Sequence, residues 1–210
     1  MLRKFKKITI IFVLCVLVSS VVVVMMIGNK YKNTLQSNTR KKFTSWALTV
    51  PIDSEKLYPV AEVVDGDTLK IHIAGHDITT RLLGVNTPEV VDPRKPVECY
   101  GKEASEASKR LLTGKNVFVA INPNYERTDK FGRLLAYVWL ALNPHNSDAR
   151  ALSSGTTSSL FVNNYLIKEG FGREYTFNVK NPYQYQKLFK EEESVAKKLG
   201  KGLWGSCKDN

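Results

Sequence analysis

Three short runs of strand-forming residues constrain the fold of this chain more than any other feature. The runs extend from Tyr58 to Val64, from Thr68 to Ala74 and from Thr79 to Val85, and in the second run apolar residues alternate with polar ones. Asp-Gly-Asp and Ala-Gly-His-Asp separate the runs, and glycine next to aspartate is typical of tight hairpin turns. The pattern predicts three antiparallel strands connected as a meander.

Two further runs complete the expected architecture. Asn116 to Ile121 and Leu134 to Leu142 again have strand character, whereas Lys102 to Leu112 is rich in helix-forming residues and is followed by Gly114. Two later segments also look helical, namely Leu160 to Glu169 and Pro182 to Leu199. Five short strands are enough for a small closed barrel. The predicted fold class is therefore α+β, a five-stranded OB-fold β-barrel with three helices.

An uncharged apolar segment, Ile8 to Ile27, precedes this domain and follows four basic residues. Its roughly 20 residues match the hydrocarbon thickness of a bilayer, so it can be a transmembrane helix or the core of a signal peptide. Its length and the lack of a small-residue cleavage site favour an anchor. Basic residues also follow the segment, so its orientation stays open.

Three regions follow from this organisation. Residues 1–28 are expected to form a membrane anchor or signal peptide, residues 29–53 a polar basic linker, and residues 54–207 the barrel domain. Residues 143–159 are polar and rich in Ser and Asn, which indicates an exposed excursion. The expected location is the cell membrane with an extracytoplasmic domain, or secretion if the segment is cleaved.

Charge and cysteine content leave alternatives open. The formal net charge of +11 attracts polyanions, which include both nucleic acid and anionic lipid. Cys15 lies in the apolar segment, so Cys99 and Cys207 remain. An oxidising compartment would allow these two to pair, but the sequence does not show whether they are close.

Three polar clusters carry the candidate chemistry. They are Asp65-Gly-Asp67-Thr68, the stretch from Arg81 to Glu89, and the stretch from Arg127 to Arg133. Each alone has a structural explanation, since Asp-Gly-Asp is usually a turn and single arginines are usually surface cations. Together they offer acidic oxygen ligands and two guanidinium groups on neighbouring strands.

That combination suits hydrolysis of a phosphodiester. A hard cation with oxygen ligands polarises the phosphate, and planar guanidinium groups match two phosphate oxygens at once. A carboxylate that does not bind the metal tightly can orient or deprotonate the attacking water.

Five sequence blocks resemble the staphylococcal nuclease, or thermonuclease, family. They are VVDGDTLKI, TRLLGVNTPE, ECYGKEAS, ERTDKFGRLLAYV and KKLGKGLW, in the family's order. The resemblance covers Val60 to Trp204 except for Asn143 to Ser159. It implies an OB-fold barrel with three helices, one Ca²⁺ ion, and cleavage of DNA and RNA to products ending in 3′-phosphate.

The resemblance also implies a role for each matching residue. Asp67 would bind Ca²⁺ through its carboxylate and Thr87 through its backbone carbonyl. Glu89 would act as the general base or orient water, and Arg81 and Arg133 would bind the scissile phosphate. The position of Lys130 implies contact with a terminal phosphate.

The chain departs from the family pattern at two of these positions. Asn86 stands where the family has a second aspartate ligand, so its amide oxygen would bind Ca²⁺ with one negative charge fewer. Phe131 stands where the family has tyrosine, which removes a hydroxyl contact but keeps stacking with a base or sugar. Tyr175 and Phe177 are candidates for further stacking.

Expected partners are DNA and RNA, single-stranded or denatured in preference, and a membrane through residues 8–27; the expected state is a monomer. A noncatalytic OB-fold module that binds nucleic acid is the alternative, because such barrels bind single strands through basic and aromatic residues. A third possibility is a membrane-surface protein whose charge binds anionic lipid.

Overall fold

The computed structural model describes residues 24–30, 32, 47–90, 92, 96–142 and 159–207. The chain divides into two compact units, Met1–Phe43 and Thr44–Asn210. In the first unit, residues 24–30 and 32 are helical; the rest of the predicted membrane segment, residues 8–23, lies outside the described residues. Across these ranges no helix combines the length and apolar character needed to cross a membrane. Residues 143–158 of the predicted excursion also lie outside them.

The second unit is built on a closed barrel. The strands are β1 (Leu57–Asp65), β2 (Thr68–Ile73), β3 (His76–Leu82), β4 (Val85–Asn86), β5 (Asn116–Ala120), β6 (Leu134–Ala141), β7 (Ser159–Phe161) and β8 (Arg173–Glu174). β1, β2 and β3 form the predicted antiparallel meander, and β5 joins β1 to β6. A parallel pairing of β3 with β6 closes the ring. This confirms the expected five-stranded barrel, to which β7 adds one short edge strand.

Alternation along the strands explains why the barrel closes around a core. In β2, Leu69, Ile71 and Ile73 are buried, whereas Lys70 and His72 face outward. The two-residue period of a strand sends every second side chain to the same face. The inner faces of the five strands therefore supply one continuous apolar core.

The described helices of the second unit are α1 (Gly101–Leu112), α2 (Val162–Lys168), α3 (Gln186–Lys198) and the four-residue α4 (Leu203–Ser206). The first three correspond to the predicted helices. Two of them begin later than the sequence pattern indicates. Leu160 and Phe161 pair with β6 as part of β7, so α2 starts only at Val162.

The start of α3 shows how a tertiary contact overrides a local signal. Asn181 and Pro182 look like a helix start, but the Asn181 side chain donates a hydrogen bond to the Asn124 carbonyl at 3.0 Å. Tyr183 is buried, and Gln186 N–H bonds to its carbonyl in a turn. The helix therefore begins at Gln186.

Residues just ahead of β1 pack onto the barrel. Residues 47–49 form one helical turn, and Ala47 and Val50 are only 2% and 1% exposed. Both belong to the same apolar core as the barrel strands. The stretch from residue 47 to residue 53, placed in the linker by its composition, is thus part of the compact unit.

A disulfide joins Cys99, just before α1, to Cys207, just after α4, with their Cα atoms 6.0 Å apart. The two residues are 108 positions apart in the chain. The bond ties the C-terminal end to the segment that leads into α1. A cross-link over so long a loop restricts the unfolded chain strongly.

Replacing Cys99 with alanine is expected to lower the free energy of unfolding by about 4 kcal/mol, because the unfolded chain regains the entropy of an open loop. Urea denaturation followed by circular dichroism measures the change. Cys15→Ser is the matched control and should leave the midpoint unchanged. Equal free-thiol counts in the unfolded protein before and after reduction would contradict the bond.

Candidate active site

The turn between β1 and β2 places Asp65 and Asp67 at one end of the barrel. Gly66 separates them, and a Cβ atom at that position would lie 2.7 Å from Thr87 Oγ1, so only glycine allows the close approach of residue 87. Ser108 in α1 donates a hydrogen bond to the Gly66 carbonyl at 2.6 Å. The turn is therefore held from both sides.

Asp67 is the centre of the site. Its side chain is almost fully buried, and the guanidinium Nη1 of Arg81 lies 2.6 Å from its Oδ1. The backbone N–H of Thr87 donates to Oδ2 at 2.9 Å, and the Thr68 hydroxyl donates to Oδ1. A buried carboxylate needs such partners, because an unpaired charge is costly inside a protein.

Arg81 connects Asp67 to the second predicted ligand. Its Nη2 donates to the Asn86 Oδ1 at 2.8 Å, while Nη1 binds Asp67. The arginine sits near the end of β3, and Asn86 belongs to β4, which pairs with β8. The planar fork of the guanidinium thus bridges the two side chains that the resemblance assigns to a metal.

The oxygen donors here fit a hard cation. Asp67 offers a carboxylate, Asn86 an amide oxygen and Thr87 a carbonyl, and Ca²⁺ prefers carboxylate, amide and carbonyl oxygens completed by water. Within the part of the chain that the structure describes, the buried Thr87 Oγ1 has no hydrogen-bond partner, and it adds a further oxygen at the same place. Among the described residues, no three His, Cys, Asp or Glu side chains form a metal-holding group. Of the three donors that the resemblance assigns to the metal, Asp67 is the one that carries a negative charge.

Asp65 lies beside this centre and responds to it. The pKa of Asp65 is raised to about 6, chiefly by burial and also by the negative charges of Asp67 and Glu89, against the opposing effects of the Gly66 N–H and Arg81. The charges of Asp67 and Glu89 therefore both act on Asp65 at this end of the barrel. A cation placed beside Asp65 would favour its charged form.

Glu89 lies on the loop between β4 and α1. Its Oε1 accepts the backbone N–H of Val90 at 3.0 Å and that of Asp92 at 3.1 Å. Glu98 exchanges two bonds with Glu89: its carboxylate accepts the Glu89 N–H, and its own N–H donates to the Glu89 carbonyl. Cys99 follows directly, so the disulfide anchors the far end of this loop.

Arg133 directly precedes β6, which runs parallel to β3 with Leu135 opposite Arg81. Two residues along a strand and one strand across correspond to a backbone distance of about 8 Å, and the strand period predicts that both arginines face the same side. Asp129 holds Arg133 through Nε at 2.6 Å and through Nη2 at 2.6 Å.

The exposed ring of Phe131 lies close to two cations. Lys130 Nζ is 5.1 Å from the ring centroid and Arg133 Cζ is 5.2 Å from it. Phe131 is 56% exposed, so its ring is available to a ligand despite these contacts. An aromatic ring among cations is typical of surfaces that bind nucleic acid.

Hydrogen bonds thus join four of the predicted site residues, Asp67, Arg81, Asn86 and Thr87. Glu89 lies close enough for its charge to act on Asp65. The family model described as staphylococcal nuclease homologue matches residues 79–206. The thermonuclease of Staphylococcus hyicus is 35% identical over 73% of this chain and 78% of its own length.

This chain belongs to the staphylococcal nuclease family.

Other relatives agree with this membership. The thermonuclease of Staphylococcus intermedius is 36% identical over 70% of this chain and 75% of its own length. The endonuclease YncB of Bacillus subtilis (strain 168) is 33% identical over 67% of this chain and 58% of its own length. The resemblance seen in the sequence blocks is confirmed.

Two residues that hold this nuclease-family site together carry no functional signal in the sequence. Ser108 binds the Gly66 carbonyl, and the fully buried Asn163 donates to the carbonyls of Leu83 and Ala136 at 2.9 and 3.2 Å. Both side chains are polar residues on helical segments, a common surface pattern. No signal in the sequence separates them from solvent-exposed residues.

The segment after β8 carries Tyr175 and Phe177, which are 47% and 65% exposed. The Tyr175 N–H donates to the Gly84 carbonyl at 3.1 Å, which places the segment next to the strand that bears Asn86. Glu174 anchors it by accepting the Tyr183 hydroxyl at 2.7 Å. The two exposed rings are therefore presented from a fixed backbone.

Proposed function

We propose that this chain is a Ca²⁺-dependent phosphodiesterase that hydrolyses DNA and RNA to products ending in 3′-phosphate. The observation that carries the proposal is the contact of Arg81 with both Asp67 and Asn86. The charge of Glu89 acts on Asp65 in the same turn. Relatives that carry the names thermonuclease and endonuclease support it. The net charge of +11 suits a polyanionic substrate.

Asp67, Asn86 and the Thr87 carbonyl would hold the calcium ion. When bound, the ion polarises a phosphate oxygen and neutralises its charge. Asp67 is held by the Thr87 N–H and the Thr68 hydroxyl, so its carboxylate is oriented in advance. The absence of a second aspartate at position 86 predicts weaker binding of the ion.

Arg81 and Arg133 would bind the scissile phosphate. A guanidinium group donates two parallel hydrogen bonds to phosphate oxygens, and it stabilises the charge that develops in a five-coordinate transition state. Asp129 orients Arg133 through two nitrogens, which leaves part of the planar group directed to a ligand. One of the two arginines would also donate to the leaving 5′ oxygen.

Glu89 would orient the attacking water and accept its proton. Its Oε1 is held by two backbone N–H groups, so the carboxylate keeps one orientation, as a general base requires. Water then attacks phosphorus, the bond to the 5′ oxygen breaks, and the phosphate remains on the 3′ side.

Substrate contacts outside the reacting phosphate would come from Lys130 and Phe131, with Tyr175 and Phe177 as further stacking surfaces. Exposed rings stack on unpaired bases of any sequence, which favours single-stranded or denatured nucleic acid. We propose a monomer that is held at the membrane through residues 8–27 with the barrel outside the cytoplasm, or secreted if the segment is cleaved. The length and apolar character of that segment support this location.

Cleavage of denatured DNA by the full-length chain, with Ca²⁺ and with EGTA, tests the proposal. Cleavage with Ca²⁺ that stops with EGTA is the expected result, and 3′-phosphate ends are expected on the products. Binding without cleavage at every Ca²⁺ concentration would instead support the noncatalytic module. If the chain neither binds nor cleaves DNA, the result would instead support a membrane-surface role for its charge.

Replacing Asn86 with aspartate is expected to lower the Kd for Ca²⁺ by about tenfold, because the site gains a second anionic oxygen ligand. Isothermal titration calorimetry without nucleic acid measures it. Asn116→Asp, at an exposed position at the start of β5, changes the net charge equally and should leave the Kd unchanged. Equal affinities of the Asn86 variant and the unaltered chain would show that this side chain does not bind the ion.

A further inference from the structure

Arg127 connects the loop that carries Arg133 to residues 47–50, which lie ahead of β1. Its Nε donates to the Ala47 carbonyl at 3.0 Å, and its Nη2 donates to the Val50 carbonyl. These acceptors are 80 and 77 positions away in the sequence. Arg127 is partly buried, so this contact is not a solvated surface pair.

The acceptors explain why an arginine stands here. Residues 47–49 form a single helical turn, and the last carbonyls of a helical turn lack partners within it. Ala47 and Val50 are 2% and 1% exposed, so their side chains fix the turn in the core. A guanidinium fork can satisfy two carbonyls at once, whereas an ammonium group is a single point of charge.

On its other side Arg127 begins the loop that presents Arg133. The Arg127 carbonyl accepts the Leu135 N–H at 2.9 Å, and Thr128 forms a bridge with Leu134. Within this closed loop the Asp129 carboxylate holds the Arg133 side chain and also accepts the Arg133 N–H at 3.0 Å. Arg127 therefore lies at the fixed end of this loop.

We propose that Arg127 is a positioning residue for Arg133, and that residues 47–50 are the anchor that holds it. The inference rests on the proposed function, because it requires Arg133 to bind the scissile phosphate. Residues 47–50 must then pack onto the barrel for the phosphate-binding guanidinium of Arg133 to be aligned. The loop can keep its internal bonds without this anchor, but its direction relative to β3 and Arg81 is no longer set.

The first test is Arg127→Met in the full-length chain, with cleavage of a single-stranded oligonucleotide measured at saturating Ca²⁺. A fall in kcat of about 10- to 100-fold is expected, because a misplacement of about 1 Å has effects of this size. KM should change less than threefold, since stacking on Phe131 and charge contacts from Lys130 tolerate a displacement of this size better than the alignment of Arg133 at the reacting phosphate does. Arg127→Lys should recover only part of kcat. Arg110→Met, on the exposed face of α1, is the control for charge.

A double-mutant cycle separates positioning from general stability. Val50→Ser weakens the anchor without touching the loop, and it should lower kcat in the unaltered chain but not further in Arg127→Met. Independent, multiplying effects of the two changes on kcat would overturn the inference. Thermal unfolding gives the midpoint of each variant. Activity assays run well below every midpoint then compare folded proteins.

Arg133→Met distinguishes failure of this inference from failure of the proposed function. If Arg133→Met is inactive and Arg127→Met keeps kcat within threefold, the positioning role is wrong and the proposed function stands. If Arg133→Met keeps full activity, the proposed phosphate-binding role itself is wrong and the positioning role fails with it.

Discussion

Replacing Arg81 with methionine is expected to lower kcat/KM for denatured DNA by about 10³-fold, because removal of one donor to a developing negative charge costs about 10²- to 10³-fold and this change removes several. Methionine keeps an unbranched apolar stem but none of the five N–H donors of arginine. Initial rates at saturating Ca²⁺ measure the loss. Arg81→Lys should be nearly as inactive, because a compact ammonium group cannot reproduce the planar fork that spans both acceptors.

The same substitution has a structural effect that must be measured beside the activity. Asp67 is buried and loses its cation, which is expected to lower the free energy of unfolding by about 3 kcal/mol in EGTA. Calcium should restore part of that loss, because it supplies positive charge to the same carboxylate. A stable Arg81→Met protein that cleaves at the rate of the unaltered chain would refute the proposed role.

Replacing Glu89 with glutamine is expected to lower kcat by about 10²- to 10⁴-fold, the usual contribution of a positioned general base. Glutamine keeps an oxygen that can accept the N–H groups of Val90 and Asp92, so the loop is retained and only the charge is lost. Single-turnover cleavage of an oligonucleotide measures the chemical step. Calcium affinity should stay within about threefold, since Glu89 is not proposed as a ligand.

Glu98→Gln is the matched control for Glu89→Gln. Glu98 is exposed and lies on the same loop. In the variant, the amide oxygen of the glutamine can still accept the Glu89 N–H. The change should alter kcat by about twofold at most, because surface substitutions usually act within 0.5 kcal/mol. If both variants lose activity equally, the charge of the loop matters and Glu89 has no distinct role.

Local patterns predicted the barrel well because they act over a few residues. Alternation in β2 and the glycine-containing turns on either side were enough to place the meander. The start of α3 could not be predicted in the same way. Asn181 and Pro182 carry a helix-start signal, but the bond from Asn181 to the Asn124 carbonyl uses the capping side chain elsewhere.

The composition of residues 29–53 predicted a linker, and composition could not indicate that its last part packs onto the barrel. Ala47 and Val50 are single apolar residues without a sustained period, so no window of sequence marks them as core. Arg127 lies 80 positions from Ala47, and only the folded chain brings its guanidinium to the Ala47 carbonyl. A shortened chain that begins at Asp53 would lose this anchor.

The sequence by itself determined the five strands, the family and the residue types at the candidate site, because turn chemistry, alternation and ordered blocks are properties of neighbouring residues. The tertiary structure alone decided which groups meet. Asp67 reaches Arg81 and Thr87 across 14 and 20 positions, and Asn163 reaches Leu83 across 80. Asp67 meets Arg81 because β2 and β3 pair with Thr68 opposite Arg81, whereas the contacts of Asn163 and the pairing of Cys99 with Cys207 depend on how the helices pack around the closed barrel.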